Sequence, residues 1–325
     1  MALLEVKNLT VGFDSEKGFL RAVDSVSFSL EKGKTLGIVG ESGSGKSVTA
    51  TALLGLLPVG GRITGGRILF MGQDLAQMGE RELRRIRGDR IAMIFQEPMT
   101  ALNPVLSVAK QLAEPFLLHR GMSKKEARRQ GAAMLSSVGF ADPEGMLRRY
   151  PHALSGGQRQ RVMIAMALAC HPDLLIADEP TTALDVTVQA EILSLVKRLQ
   201  RENETALLFI THDLSVIRQM ADTVAVFYCG RVVEEAPTEA IFHKSPFLHP
   251  YTEGLLACRP ERGKMRPIKG SVPPLHALPR GCRFAPRCPY ATPLCEKEPP
   301  LYLTESGHTV RCHYPRKEAR QNAFT

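Results

Sequence analysis

Residues 40–47 read Gly-Glu-Ser-Gly-Ser-Gly-Lys-Ser, and no other stretch constrains the fold as strongly. They satisfy the phosphate-loop pattern G-x-x-x-x-G-K-[ST] at every required position. An apolar run at 35–39 precedes them and predicts a buried strand; a helix-favouring run at 48–57 follows. The pattern needs that strand–loop–helix context. Gly40, Gly43 and Gly45 let the backbone wrap a phosphate with its N–H groups turned inward. The helix that starts here adds its positive end to the same place. Lys46 is placed to reach the outer phosphates of a nucleotide, and the Ser47 hydroxyl to bind Mg²⁺. Glu41, Ser42, Ser44 and Val48 complete the nucleotide-binding stretch. A plain Gly/Ser-rich surface loop is the bland alternative, and the full-length match argues against it.

Length and charge narrow the class. The 325 residues suffice for one large domain or two ordinary ones. No apolar run approaches the roughly 20 residues of a membrane-spanning helix. The opening Met-Ala-Leu-Leu-Glu-Val-Lys lacks the layout of a secretory signal. A cytosolic chain is expected, so its seven cysteines are expected as free thiols or metal ligands. The net charge of +9 is uneven: from Arg259 onward thirteen Lys/Arg stand against five Asp/Glu, and eleven of the 22 prolines lie there. A boundary is expected between Arg231 and Arg259, giving an ATP-binding domain at 1–235 and an extension at 236–325. The basic tail is weak evidence for nucleic acid, because anionic lipid or an anionic cofactor suits it equally.

Residues 3–13 and 23–30 alternate and predict two strands of an antiparallel β layer, joined by a polar turn with Gly18. Asp24 falls on the same face as Val26, Phe28 and Leu30. Phe13 is a candidate to stack on an adenine ring, or simply a half-buried strand aromatic. Gly60-Gly61 and Gly65-Gly66 read as turns before a short strand at 67–71. A charged helix is predicted over 80–87. A β-rich run at 90–95 ends at Gln96, and strand ends are where α/β proteins place site groups. Residues 97–155 differ. A loop through Pro98, Asn103, Pro104 and Leu106 leads into helical periodicity over 107–119 and 124–138. Val108, Leu112, Phe116, Ala127, Met134, Leu135 and Val138 mark the apolar faces. This is a helical insertion whose first loop, exposed and apolar, suits docking to a partner.

Ser155-Gly156-Gly157-Gln158 follows. Ser155 is a good N-cap, and the glycines leave N–H groups bare at a helix start, which makes a second anion site. Leu174-Leu175-Ile176-Ala177 predicts a buried parallel strand with Asp178 and Glu179 at its end. Asp178 suits the Mg²⁺ shell, and Glu179 suits orienting and deprotonating the attacking water. Asp185 precedes a helix at 186–200. A further buried strand at 206–210 ends near His212, a candidate contact for a γ-phosphate. A last strand is predicted at 223–228. The fold class is α/β, a P-loop NTPase with an antiparallel β subdomain, a helical insertion and a small irregular Cys-rich C-terminal domain.

In that tail, Cys282, Cys288, Cys295 and Cys312 are spaced C-x5-C-x6-C-x16-C. Cys170, Cys229 and Cys258 read as apolar filler. The tail has few large apolar residues, and small segments are commonly stapled by metal. The close cysteine pairs usual for zinc are absent. A 4Fe–4S cluster also takes four thiolates, with variable spacing. Cluster, zinc and unligated thiols all remain open on the residues alone. Arg283, Arg287 and Arg311 adjoin these cysteines and would offset a cluster's negative charge.

The order of these motifs over residues 1–255 resembles the ATP-binding subunits of ABC transporters. The resemblance implies a RecA-like core. It implies that Lys46 and Ser47 are the Walker A lysine and Mg²⁺ ligand, Asp178 the Walker B aspartate and Glu179 the catalytic base. Gln96 would be the Q-loop glutamine and a Mg²⁺ ligand, Asp185 the D-loop aspartate and His212 the switch histidine. Ser155, Gly156, Gly157 and Gln158 match the family signature, which contacts the γ-phosphate held by an opposing subunit. Two such chains would close head-to-tail over two ATP molecules. Phe13 stands where the family places an adenine-stacking aromatic, more often a tyrosine. One P-loop and one signature imply a single nucleotide-binding domain.

A nearer resemblance is to the ATPases of dipeptide and oligopeptide importers. Gln96-Glu97-Pro98-Met99-Thr100-Ala101-Leu102-Asn103-Pro104, Pro180-Thr181-Thr182-Ala183-Leu184-Asp185-Val186-Thr187, His249-Pro250-Tyr251-Thr252 and the Cys-rich tail carry it. Similar tails in that branch bind a 4Fe–4S cluster, which favours the cluster, with zinc as the alternative. The branch implies two transmembrane permease subunits, a second ABC ATPase, commonly a paralogue, and an extracytoplasmic peptide-binding protein. It places the chain at the cytoplasmic face of the inner membrane. Nickel, glutathione and antimicrobial-peptide importers share the branch. A soluble ABC ATPase acting on nucleic acid is disfavoured by the absence of a second cassette or coiled-coil arm, so no nucleic acid partner is expected. A regulatory iron–sulfur sensor is disfavoured by the intact Glu179.

Overall fold

The computed structural model describes residues 2–16, 18–97, 101–182, 184–242, 248–258, 267–304 and 307–315. In chain order the elements are β1 (Ala2–Ser15), β2 (Gly18–Glu31), β3 (Thr35–Val39), α1 (Lys46–Leu53), β4 (Gly61–Phe70), β5 (Gln73–Asp74), α2 (Glu80–Ile86) and β6 (Ile91–Ile94). The helical insertion holds α3 (Val108–Arg120), α4 (Lys124–Ser137) and α5 (Pro143–Leu147), followed by α6 (Gly156–Leu168). Then come β7 (Leu174–Asp178), α7 (Val186–Glu202), β8 (Ala206–Thr211), α8 (Leu214–Met220), β9 (Thr223–Tyr228), β10 (Arg231–Pro237), α9 (Thr238–Phe242) and α10 (Pro250–Ala257). The tail adds β11 (Leu301–Leu303) and β12 (Thr309–Arg311). These elements form two compact units, one built mainly from Gln77–Ile210, the other from Leu4–Ser29, Leu36–Ala76 and the chain from Thr211 onward.

In the first unit β6, β7 and β8 lie parallel, with Ile91 beside Leu174 and Leu174 beside Ala206. Every residue of β7 and β8 is buried. That is why they read as unbroken apolar runs, since parallel strands are covered on both faces. Ile192, Leu195, Val196 and Leu199 of α7 are buried at one helical spacing. In the insertion, Phe116, Ala127 and Ala169 pack together with Ala113, Met122 and Met134 against them. Ser123 caps α4 by accepting the Glu126 N–H at 3.3 Å.

Of the described residues in the loop before α3, Ala101, Asn103, Pro104 and Val105 are exposed, as the sequence predicts. Val105 is 76% exposed, but Leu102 is buried. Gln111 binds Asn103 twice, its oxygen accepting the Asn103 N–H and its amide donating to the Asn103 carbonyl. These bonds tie the described part of the loop to the start of α3. Pro98, Met99 and Thr100 lie outside the described residues, as does Ala183.

In the second unit an antiparallel sheet runs β2-β1-β4-β5. β4 spans ten residues, not the five read from sequence, and Gly61, Gly65 and Gly66 lie within it, while Gly60 sits in the turn before it. The cause is local. Gly66 has φ +88°, and a Cβ there would lie 2.5 Å from the Lys7 and Asn8 carbonyl oxygens. The pairing with β1 shifts register between Lys7 and Thr10 at the same point. A bulge therefore uses the glycine that looked like a strand end. The other sheet pairs β3 with β9 in parallel and β9 with β10 antiparallel, then β10 with β12 and β12 with β11. The tail's hairpin thus extends the sheet that contains the phosphate-loop strand.

Glu235 sits in β10 opposite Thr309, and burial pushes its carboxyl up from the ordinary 4.5 to about 7. The folded chain holds this proton more tightly than the unfolded chain does. Its stabilising contribution is complete below the unfolded value and is lost as pH rises through about 7. Thermal melts of Glu235→Gln are expected to show a shallower loss of stability across that window than the parent chain.

Candidate functional site

The phosphate loop leaves β3 at Gly40, where a Cβ would lie 2.2 Å from the Phe227 carbonyl oxygen. At its other end Gly45 caps α1 with φ +98°, and a Cβ there would meet the Ala22 carbonyl at 2.7 Å. Neither position admits a side chain, which explains two of the pattern's glycines. Lys46 is buried, and its Nζ donates to the Gly40 carbonyl at 2.8 Å and the Glu41 carbonyl at 3.0 Å. It therefore lies across the loop. Ser42, Gly43 and Ser47 face solvent, Ser44 is buried, and Val48 is half-buried in the first turn of α1. Phe13 pairs with Gly61 across β1 and β4, and its ring covers that glycine. His212 is exposed just past β8, and Asp213 caps α8 by accepting the Ser215 N–H.

In the first unit three expected groups meet. Asp178 ends β7 and is buried. Glu179 follows with φ 45°, a conformation that costs a non-glycine residue about 1–3 kcal/mol and clusters at functional sites. Its N–H is tied to the Ile210 carbonyl at 2.9 Å. Its Oε2 accepts from the Thr182 hydroxyl at 2.9 Å and the Gln96 amide at 3.4 Å. Ser155 and Gln158 form a capping box at the start of α6, each accepting the other's backbone N–H. A Cβ on Gly157 would lie 2.8 Å from Val188 Cγ1 in α7, so the glycine sets how closely the two helices approach. Asp185 caps α7 by accepting the Val188 N–H at 2.9 Å. Arg161 of α6 donates to Glu191 of α7 at 2.7 Å.

In the second unit all four tail cysteines line one small cavity with His249, Phe284 and Tyr314. The Cys282 N–H donates to the Cys295 carbonyl at 2.9 Å, and the Tyr314 N–H points at the Cys312 sulfur at 3.4 Å. Burial pushes the Cys282 thiol up to about 11 and Cys288 to about 12, and the neighbouring thiols add to both shifts. Among the described residues no three His, Cys, Asp or Glu side chains are gathered as a single metal ion requires.

The arginines beside the cysteines act otherwise than expected. Arg283 pairs with Asp24, and Arg287 binds Glu41 at 2.6 and 3.0 Å. Arg311 stands 3.8 Å from Glu298. Carboxylates of the protein therefore take up this charge. Arg231 also binds Asp24, at 2.8 Å. Burial alone would raise the Asp24 carboxyl, but Arg231, Arg283 and Arg21 outweigh it and hold it below the ordinary range. The signal for this network was an acid on the apolar face of β2, which demands cationic partners once buried. Tyr251 and the buried pair His308–Glu234, 2.8 Å apart, carried no comparable sign. Asp24→Ala would leave two half-buried guanidiniums without their shared carboxylate. It is expected to cost about 3 kcal/mol in urea unfolding, with Asp24→Asn costing less.

Comparison with known proteins places this geometry. The family profile described as ABC transporter matches residues 23–182, and one described as oligopeptide/dipeptide transporter, C-terminal region, matches residues 233–295. The chain is similar to the dimeric bacterial ABC transporter cassette MJ0796, with a TM-score of 0.65 and 30% identity, over 72% of this chain and 98% of that one. The chain belongs to the ATP-binding proteins of ABC transporters, and it is an ATP-hydrolysing enzyme of that family. Within it, the chain is 50% identical to the oligopeptide transport ATP-binding protein AppD of Bacillus subtilis, over 99% of both chains. It is 47% identical to the dipeptide transport ATP-binding protein DppD of Escherichia coli, over 98% of both, and 49% identical to OppD of Salmonella typhimurium, over 97% and 95%. Among the described residues no helix is long and apolar enough to cross a membrane.

Proposed function

We propose that this chain energises an importer of dipeptides or oligopeptides, working at the cytoplasmic face of the membrane beside two permease subunits and a second ATPase. The observation that carries this reading is the joint presence of an ABC cassette and a peptide-transporter C-terminal region in a chain about half identical, end to end, to peptide-transport ATP-binding proteins. Lys46 and the loop's N–H groups take the ATP phosphates. Ser47, Asp178 and Gln96 are the donors that would hold Mg²⁺, which offsets phosphate charge when bound. Glu179, held by Thr182 and Gln96, orients the water and accepts its proton. His212 contacts the γ-phosphate, and Phe13 stacks on the adenine. Ser155, Gly156, Gly157 and Gln158 serve the ATP of an opposing subunit. Their exposed helix start, next to Asp185 and an 84% exposed Val186, supports that reading. Residues 1–235 act as the ATPase and 236–325 as the extension that marks the peptide branch.

For the tail, a 4Fe–4S cluster held by its four thiols is the reading we favour. They share one cavity, and a backbone N–H already points at the Cys312 sulfur, the kind of hydrogen bond that tunes such clusters. Zinc is the alternative, and a single ion would need all four sulfurs about 2.3 Å from one centre. The raised thiols must lose protons to become ligands, so loading releases protons.

Glu179→Gln is expected to retain ATP binding, to lose turnover by at least about a hundredfold, and to accumulate as an ATP-bound dimer in size-exclusion chromatography. Unchanged turnover would remove Glu179 from its role. Serine at any one of Cys282, Cys288, Cys295 or Cys312 is expected to lower the iron content of anaerobically purified protein. Iron equal to the parent in all four variants would overturn the cluster.

A further inference from the structure

We propose that Arg287 is a positioning residue for ATP binding, holding the phosphate loop from the cysteine-rich tail through its ion pair with Glu41. This rests on the reading that residues 40–47 bind ATP, and it is independent of what the thiols hold.

Arg287 Nη1 donates to Glu41 Oε2 at 2.6 Å and Nη2 to Oε1 at 3.0 Å, a two-point fit that a lysine does not reproduce. Its Nε donates to the Lys269 carbonyl at 3.1 Å, and only 4% of its side chain is exposed. The Tyr228 ring lies 5.8 Å and the Phe284 ring 6.0 Å from the guanidinium carbon. The fork is therefore fixed in direction before it meets Glu41.

Glu41 is gripped a second time, because its backbone N–H donates to the Tyr251 hydroxyl at 2.9 Å. Its carbonyl in turn accepts from Lys46 Nζ, and from the Ser44 N–H at 3.2 Å. A chain of contacts thus runs from Arg287 through Glu41 to the lysine that serves phosphate. The ion pair also neutralises a carboxylate within the loop that must receive a polyanion. Without Arg287 that carboxylate would repel ATP as well as free the loop. The turn Ala285–Arg287 lies between Cys282 and Cys288, with the Cys288 N–H bonded to the Ala285 carbonyl at 3.2 Å. The thiol cavity and the clamp therefore share one piece of backbone.

The test uses the full chain with Mg²⁺ and a fluorescent ATP analogue, scoring the dissociation constant, the KM for ATP, kcat at saturation and bound iron and zinc. Arg287→Gln is expected to weaken nucleotide binding about tenfold, as loss of a charge-assisted pair implies, with kcat at saturation largely retained. Arg287→Lys should fall between it and the parent. Adding Glu41→Gln to Arg287→Gln should restore part of the affinity by removing the uncompensated carboxylate. Parent-like affinity in Arg287→Gln, or losses that multiply in the double variant, would overturn the clamp. Should Arg287→Gln fail to fold, Glu41→Gln alone decides, and parent-like affinity in it also overturns the clamp. A parent chain that binds no nucleotide would overturn the ATPase reading itself, whereas a parent that binds beside an unaffected Arg287→Gln overturns the clamp alone.

Discussion

The close passage of Gly40 over the Phe227 carbonyl governs the second unit. β3 and β9 are parallel neighbours, with Val39 beside Val226, so a chain leaving β3 must cross the end of β9 before it can turn into α1. Only a residue without a Cβ makes that crossing. Once it is made, backbone hydrogen bonds lock the surroundings. The Gly230 N–H donates to the Ser44 carbonyl at 2.9 Å, and the Asp24 N–H to the Gly230 carbonyl at 2.8 Å. The phosphate loop, the edge of β2 and the turn after β9 are therefore one hydrogen-bonded assembly, and no part of it adjusts alone.

The first unit places its reactive groups by a different device. Its buried parallel strands are rigid because both faces are covered, and polar groups appear only where they end. Glu179 occupies a left-handed backbone conformation because the Ile210 carbonyl fixes its N–H from the next strand. The side chain is then turned toward Thr182 and Gln96. Local strain at this one residue is offset by the strand pairing around it.

Much of this was legible in the residues. The strands at 174–178, 206–211 and 223–228 were visible because buried parallel strands have few alternatives to unbroken apolar sequence. The helix start at Ser155 was visible because capping is a local hydrogen bond. What stayed hidden depends on contacts between distant segments. The bulge at Gly66 looked like a turn because a glycine with positive φ serves both. The destinations of Arg283 and Arg287 were hidden for the same reason. Charge beside a cysteine suggests a role for the cysteine, and only the fold brings Asp24 and Glu41 within reach.

The tail's reliance on Asp24, Glu41 and the β10 edge has a consequence for how such chains diverge. Its Arg283 and Arg287, its aromatic ring at Phe284 and its β12 strand each have a receptor elsewhere in the same unit. A cysteine-rich segment of this kind cannot be exchanged between relatives as a self-contained cassette. It must travel with the acids that receive its arginines, so drift in the two regions is tied together, position by position.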